Sequence, residues 1–155
     1  MSIDHVLPRR SASGYVLTPL EAVRREQLGK RLSAEERRVL FDHGTEPPHC
    51  GGLLHNSAPG LYACRLCGLP LFGSADKFES GTGWPSFFQP ADPEHLREVT
   101  DRSHGMSRTE IRCARCDSHL GHKFPDGPQP TGQRYCLNSL ALEFFESGKE
   151  PPQQV

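Results

Sequence analysis

Two Cys-x-x-Cys pairs, Cys64-Arg-Leu-Cys67 and Cys113-Ala-Arg-Cys116, constrain this chain more than any other feature. Each pair offers two thiols along one edge of a tetrahedron. Together they complete the four-thiolate shell of a structural zinc ion and leave no position for water or substrate. Two separate redox pairs, or inert buried thiols, are the competing readings, and the presence of both pairs in one small chain favours the metal. Gly68 relieves the tight turn behind Cys67, while Asp117 keeps a polar turn behind Cys116. A metal held this way ties two distant segments together and supplies stability that a turn-rich chain would otherwise lack.

With 155 residues the chain has room for one domain with a real core. Its 15 glycines and 14 prolines favour many turns over long helices, so the expected class is mainly β. The formal net charge of -1 gives no field to hold a phosphate backbone or an anionic membrane, which argues against nucleic acid as a partner. No run of apolar residues approaches the length that spans a bilayer. Cysteines arranged as metal knuckles, and an N-terminus without the apolar stretch of a secretory signal, place the expectation in a reducing cytoplasm.

Residues 1–17 show no periodicity and are expected to form a flexible tail ahead of a domain over 18–148, with 149–155 a flexible C-terminus. Thr18-Pro19-Leu20-Glu21 carries helix-opening signals for a helix to about Lys30. Ser33-Ala34-Glu35-Glu36 forms a capping box for a second helix that stops at Gly44. From Leu61 onward short apolar or alternating runs predict strands. The run Arg134–Phe145 reads as one strand, with Arg134, Cys136 and Asn138 on one face and Tyr135, Leu137 and Ser139 on the other.

Setting aside four zinc ligands leaves Cys50 and Cys136. A solitary cysteine is more often a small buried hydrophobe than a nucleophile, so the neighbours decide. Arg134, on the face of Cys136, is expected to favour the thiolate. Asn138 on that face is placed to orient a substrate or a water. His119 and His122, in His-Leu-Gly-His, are candidate proton donors near neutral pH, with a satisfied structural histidine as the alternative for each. Trp84, the single tryptophan, sits on a Gly-flanked turn; it is either a core residue or a rigid wall suited to a small S-methyl group.

Five ordered motifs carry a family resemblance: Cys64-x-x-Cys67, SGTGWPSF at 80–87, EIRCARC at 110–116, HLGHKFPDGPQPTG at 119–132 and RYCLNS at 134–139. Together they resemble the B-type methionine-R-sulfoxide reductases over about residues 17–145. The resemblance implies two antiparallel sheets in a tent-like arrangement, short N-terminal helices outside, and one structural zinc on Cys64, Cys67, Cys113 and Cys116 away from the reacting centre. It implies that Cys136 attacks the sulfoxide sulfur of an oxidised protein and becomes a sulfenic acid. Trp84 then holds the methyl group with Phe124 completing the apolar wall, His119 and His122 bind or protonate the oxygen, and Arg134 and Asn138 tune Cys136. Many members carry a resolving cysteine between the two glycines of the SGxGWPSF motif, where this chain has Thr82. Cys50 resembles an alternative resolving position, which predicts a Cys50–Cys136 disulfide reopened by thioredoxin. A monomer is expected.

Two other classes compete. A zinc-ribbon module for nucleic acid or protein also uses paired knuckles, and the balanced charge weakens it. A non-catalytic zinc-binding β-domain for ligand or protein binding would keep the four cysteines and the aromatic wall without needing the Arg-Tyr-Cys-x-Asn strand, which this chain has.

Overall fold

A computed structural model describes residues 9–149, so residues 1–8 and 150–155, both assigned to flexible termini above, lie outside the described residues. Two short helices, α1 (Ala22–Gly29) and α2 (Ala34–Asp42), precede nine strands. These are β1 (Gly60–Cys64), β2 (Pro70–Gly73), β3 (Lys77–Phe78), β4 (Ser86–Phe87), β5 (Leu96–Asp101), β6 (Arg108–Cys113), β7 (His119–Phe124), β8 (Arg134–Leu137) and β9 (Leu142–Glu146). They form two antiparallel sheets, ordered β2-β1-β9 and β3-β4-β8-β7-β6-β5. The mainly β, two-sheet expectation therefore stands.

Capping decides the helix boundaries. Ser33 and Glu36 make the reciprocal capping box, Ser33 Oγ accepting from Glu36 N–H at 3.1 Å and Glu36 Oε1 from Ser33 N–H at 2.9 Å. α2 ends at His43 in the left-handed region (φ 57°), one residue before the predicted Gly44 stop. The first helix begins later than its signals suggested. Thr18 Oγ1 accepts from Arg9 N–H instead of capping, and α1 opens at Ala22 behind Glu21 with no side-chain cap. Residues 9–17 pack on the domain: Arg10 bridges Val16, Leu17 is buried, and Ser11 Oγ lies 2.8 Å from Nε2 of the buried His95. A sequence without periodicity can still be pinned by a few specific bonds of this kind.

The core lies where the sheets meet. Phe72 of β2 stacks on Phe87 of β4 at 4.5 Å, and Tyr62 of β1 meets Phe87 edge-on at 5.1 Å. Phe87 is fully buried, and burial of such a ring contributes on the order of 2–3 kcal/mol. The run read as one long strand is two. β8 ends at Leu137, a 3-10 turn spans Ser139–Ala141, and β9 crosses to pair with β1 in the other sheet. Asn138 makes the corner. Its Oδ1 accepts from Glu46 N–H at 3.0 Å, and its Nδ2 donates to the Leu120 carbonyl at 3.1 Å.

Candidate active site

Strand register builds the site. In β8, Cys136 stands opposite Ser86 of β4 on one side and His122 of β7 on the other, and His122 stands opposite Glu110 of β6. Registered antiparallel partners share a face, so Ser86, Cys136, His122 and Glu110 form one row across four strands. Gly121 makes the close approach possible, because a Cβ there would lie 2.0 Å from the Cys136 carbonyl oxygen.

A bulge brings the second histidine to the same side. Side chains three apart on a regular strand point to opposite faces. The β6–β7 register passes from Ile111↔Gly121 to Arg112↔His119, so Leu120 is the extra residue and His119 rejoins the face of His122. The two rings meet edge-on at 5.5 Å.

A cavity of about 250 Å³ opens over Cys136, lined by Thr45, Thr82, Trp84, His122, Phe124 and Arg134 among others. Trp84 is half-buried and fixed by its Nε1–H, which donates to the Glu46 carbonyl at 2.9 Å. The loop that leads into it needs two glycines, Gly81 and Gly83 on either side of Thr82, with φ of 75° and 94°. A Cβ on Gly83 would lie 2.7 Å from Pro48, since the segment carrying Cys50 packs there and His49 N–H donates to the Gly83 carbonyl at 2.8 Å. Cys50 is exposed and does not line the cavity. Thr82 Oγ1, at 4.0 Å, meets Cys136 Sγ from the Trp84 loop.

Charge is distributed differently from the sequence expectation. Burial pushes the Cys136 thiol above its ordinary value, outweighing the opposing effects of Thr82 and Arg134. Arg134 is shared: its Nε and Nη2 donate to Asp126 at 2.9 and 3.1 Å, and its guanidinium covers the Phe124 ring at 4.4 Å. Asn138 lines the cavity, and its Oδ1 and one of its two Nδ2–H groups bond main-chain groups, which anchors the end of β8. His122 Nε2 lies 2.7 Å from Asp101 Oδ2. His119 stands behind it and lines a neighbouring polar cavity instead. Its Nδ1 lies 2.7 Å from Glu110 Oε2, its buried Nε2 has no partner among the described residues, and burial lowers its pKa.

Glu110 also holds His43 Nδ1 at 2.7 Å and Arg112 Nη2 at 3.0 Å. Burial works to raise its pKa, yet Arg112, His119 and His43 together bring it down to about 2. Sequence reading passed over Asp101, Arg108 and Glu110. A signal was present, because Arg108, Glu110 and Arg112 alternate along one strand face next to a Cys-x-x-Cys pair, where charged side chains need partners.

The four paired cysteines come together at the far ends of β1 and β6, with Cys64 Sγ 3.5 Å from Cys116 Sγ and Cys67 Sγ 3.5 Å from Cys113 Sγ. All four are buried, their sulfurs lie within 4.8 Å of one another, and none lines the Cys136 cavity. Both knuckles turn through the left-handed region, at Gly68 (φ 79°) and Asp117 (φ 61°), whose N–H groups donate to the Cys64 and Cys113 carbonyls. Burial and the neighbouring sulfurs push the Cys113 thiol well up, as expected of thiols that need a cation before all can ionise. A tetrahedral metal with sulfur at about 2.3 Å has sulfur–sulfur edges of about 3.8 Å, so the cluster fits a four-coordinate ion.

A half-buried thiol registered against an imidazole in an aromatic cavity, on a β-domain with a separate cluster of four buried cysteines, is an arrangement suited to thiol chemistry beside a candidate metal site. Comparison with known proteins gives the family. The SelR domain model matches residues 32–146. Peptide methionine sulfoxide reductase MsrB of Caulobacter vibrioides (strain NA1000 / CB15N) is 58% identical over 142 residues, covering 92% of this chain and 89% of the relative. The protein of that name from Xylella fastidiosa (strain M23) is 60% identical over 141 residues, 91% of each chain. That from Escherichia coli (strain K12 / DH10B) is 56% identical over 127 residues, 81% of this chain and 93% of the relative. The chain belongs to the SelR-domain family, the B-type peptide methionine sulfoxide reductases.

Proposed function

We propose that this protein reduces the R epimer of methionine sulfoxide in oxidised proteins, with Cys136 as the attacking sulfur. The observation that carries the reading is the meeting of Cys136, His122 and Trp84 in one cavity through strand register and a glycine-flanked loop. A non-catalytic binding domain is not favoured: it has no use for a thiol registered against an imidazole, and the curated relatives are named as reductases.

In this reading the sulfoxide methyl group rests against Trp84 and Phe124, and the oxygen is turned toward the histidines. Cys136 sulfur attacks the sulfoxide sulfur while the oxygen takes protons, so that methionine leaves and Cys136 carries the oxygen as a sulfenic acid. His122 is the proton donor, since it lines the Cys136 cavity, and His119 supports it from behind. General acid catalysis of this kind contributes roughly a hundred- to ten-thousand-fold. Arg134 favours the ionised form of Cys136 against the effect of burial, and Asn138 fixes the end of its strand.

Cys50 is the resolving thiol: its sulfur attacks the sulfenic sulfur, water leaves, and a Cys50–Cys136 disulfide remains. A dithiol protein of the thioredoxin type reopens it by exchange. Cys50 is the free cysteine outside both the cavity and the four-sulfur cluster. We further propose that zinc occupies Cys64, Cys67, Cys113 and Cys116 in a purely structural role, that the enzyme acts as a monomer, and that it works in the reducing cytoplasm. No helix among the described residues is long and apolar enough to cross a membrane.

Turnover of separated R and S epimers with dithiothreitol tests the reading. Consumption of R alone, abolished by Cys136→Ser with the fold intact, is the expected result; an untouched R epimer overturns it. Peptide mapping after substrate without reductant tests resolution, and finding only sulfenic acid on Cys136 would remove Cys50 from the cycle.

A further inference from the structure

His122 is gripped from the edge of the large sheet by Asp101, the last residue of β5. Asp101 Oδ2 lies 2.7 Å from His122 Nε2 and accepts from Arg108 Nη2 at 3.2 Å, while Oδ1 accepts from Ser103 N–H at 2.9 Å. Both carboxylate oxygens are thereby aimed. The Ser103 N–H, then His122, holds the Asp101 carboxyl well below the usual carboxylate range, so it carries its charge throughout the neutral region.

The charged groups facing His122 come from every strand around it. They are Asp101 on β5, Arg108 and Glu110 on β6, His119 on β7 itself, and Arg134 and Cys136 on β8. Glu110 is occupied by Arg112, His43 and His119, and Arg134 by Asp126. Asp101 is the one carboxylate bonded to His122 among the described residues.

We infer that Asp101 is a positioning residue for sulfoxide reduction, fixing His122 through Nε2 so that Nδ1 delivers the proton to the sulfoxide oxygen. The inference rests on the reading of His122 as the acid. The Asp101 bond fixes the ring orientation and places the exchangeable proton on the other nitrogen, which has no protein partner among the described residues. A carboxylate in that position also stabilises the imidazolium that must exist before transfer. Removing it leaves a ring of the same shape that is less well oriented and less readily charged.

The test compares Asp101→Asn, Asp101→Glu, His122→Gln and the Asp101→Asn/His122→Gln pair in the full-length enzyme, with an R-sulfoxide peptide and dithiothreitol. For Asp101→Asn we expect kcat to fall roughly ten- to a hundredfold, KM to stay nearly constant, and the alkaline limb of the kcat profile to move to lower pH. Asp101→Glu should recover part of the rate and of the limb. In the His122→Gln background the Asn substitution should cost nothing further. If His122→Gln abolishes turnover while Asp101→Asn keeps the wild-type kcat and pH profile, the inference fails alone. If His122→Gln keeps wild-type turnover, the acid assignment fails and the inference with it. Should Asp101→Asn not fold, Asp101→Ser decides: wild-type kcat with an unmoved limb overturns the proposal, and a lowered kcat with the limb displaced to lower pH supports it.

Discussion

Thr82 Oγ1, on the loop that carries Trp84, stands 4.0 Å from Cys136 Sγ. A sulfur at that side-chain position would need to move only about 2 Å to reach bonding distance. The variant Thr82→Cys should therefore form a disulfide with Cys136 after turnover, and should restore dithiol-dependent recycling to a Cys50→Ser enzyme. Mapping of oxidised peptides checks it; a double variant that stalls after one turnover contradicts it.

Burial raises the Cys136 thiol, and Arg134 is one of the groups opposing that rise. Arg134→Met removes the opposing charge and lowers the thiolate fraction at neutral pH. The rate of alkylation of Cys136 by iodoacetamide near pH 7 should fall, and kcat/KM with it; an unchanged alkylation rate would contradict the role given to Arg134.

Glu110, held at about 2 against an ordinary value of 4.5, makes stability depend on pH. Its carboxylate is bound in the folded protein and free in the unfolded one, so its contribution is fully present above pH 4.5 and is lost as pH falls toward 2. Thermal melts over that window should show a falling Tm, with a shallower slope in Glu110→Gln. Equal slopes would place the acid sensitivity elsewhere.

The four-sulfur cluster should bind one zinc per chain, and its loss should act on stability before chemistry. Cys116→Ser is expected to lower stability by about 3 kcal/mol or more, as for a lost cross-link between distant segments. Metal content by atomic emission and melting temperature by calorimetry are the measurements. At temperatures where the variant remains folded, its kcat should stay near wild type.

Much of the site was legible because chemistry tied to spacing survives without coordinates. The Cys-x-x-Cys pairs, Cys136, Trp84 and His122 announce themselves, Phe124 entered through the family resemblance, and the structure brings the first set into a cluster and the rest around one cavity. Phase was the harder quantity. A period of two put Arg134 and Cys136 on one face correctly, but the same rule cannot foresee the extra residue at Leu120 that returns His119 to the face of His122. Nor could it foresee that Asn138 spends its amide on a corner, which divides one apparent strand between two sheets. Asp101 was hidden because it acts from the far edge of the sheet, and residues 9–17 because single bonds leave no repeating pattern.

The contact between Gly83 and the Pro48–His49 segment joins two parts of the site that a reaction scheme keeps apart. His49, covalently next to Cys50, donates to the Gly83 carbonyl, and Gly83 is covalently next to Trp84. In the proposed cycle, the segment that must bring Cys50 to Cys136 is thereby tied by one main-chain bond to the loop that carries Trp84.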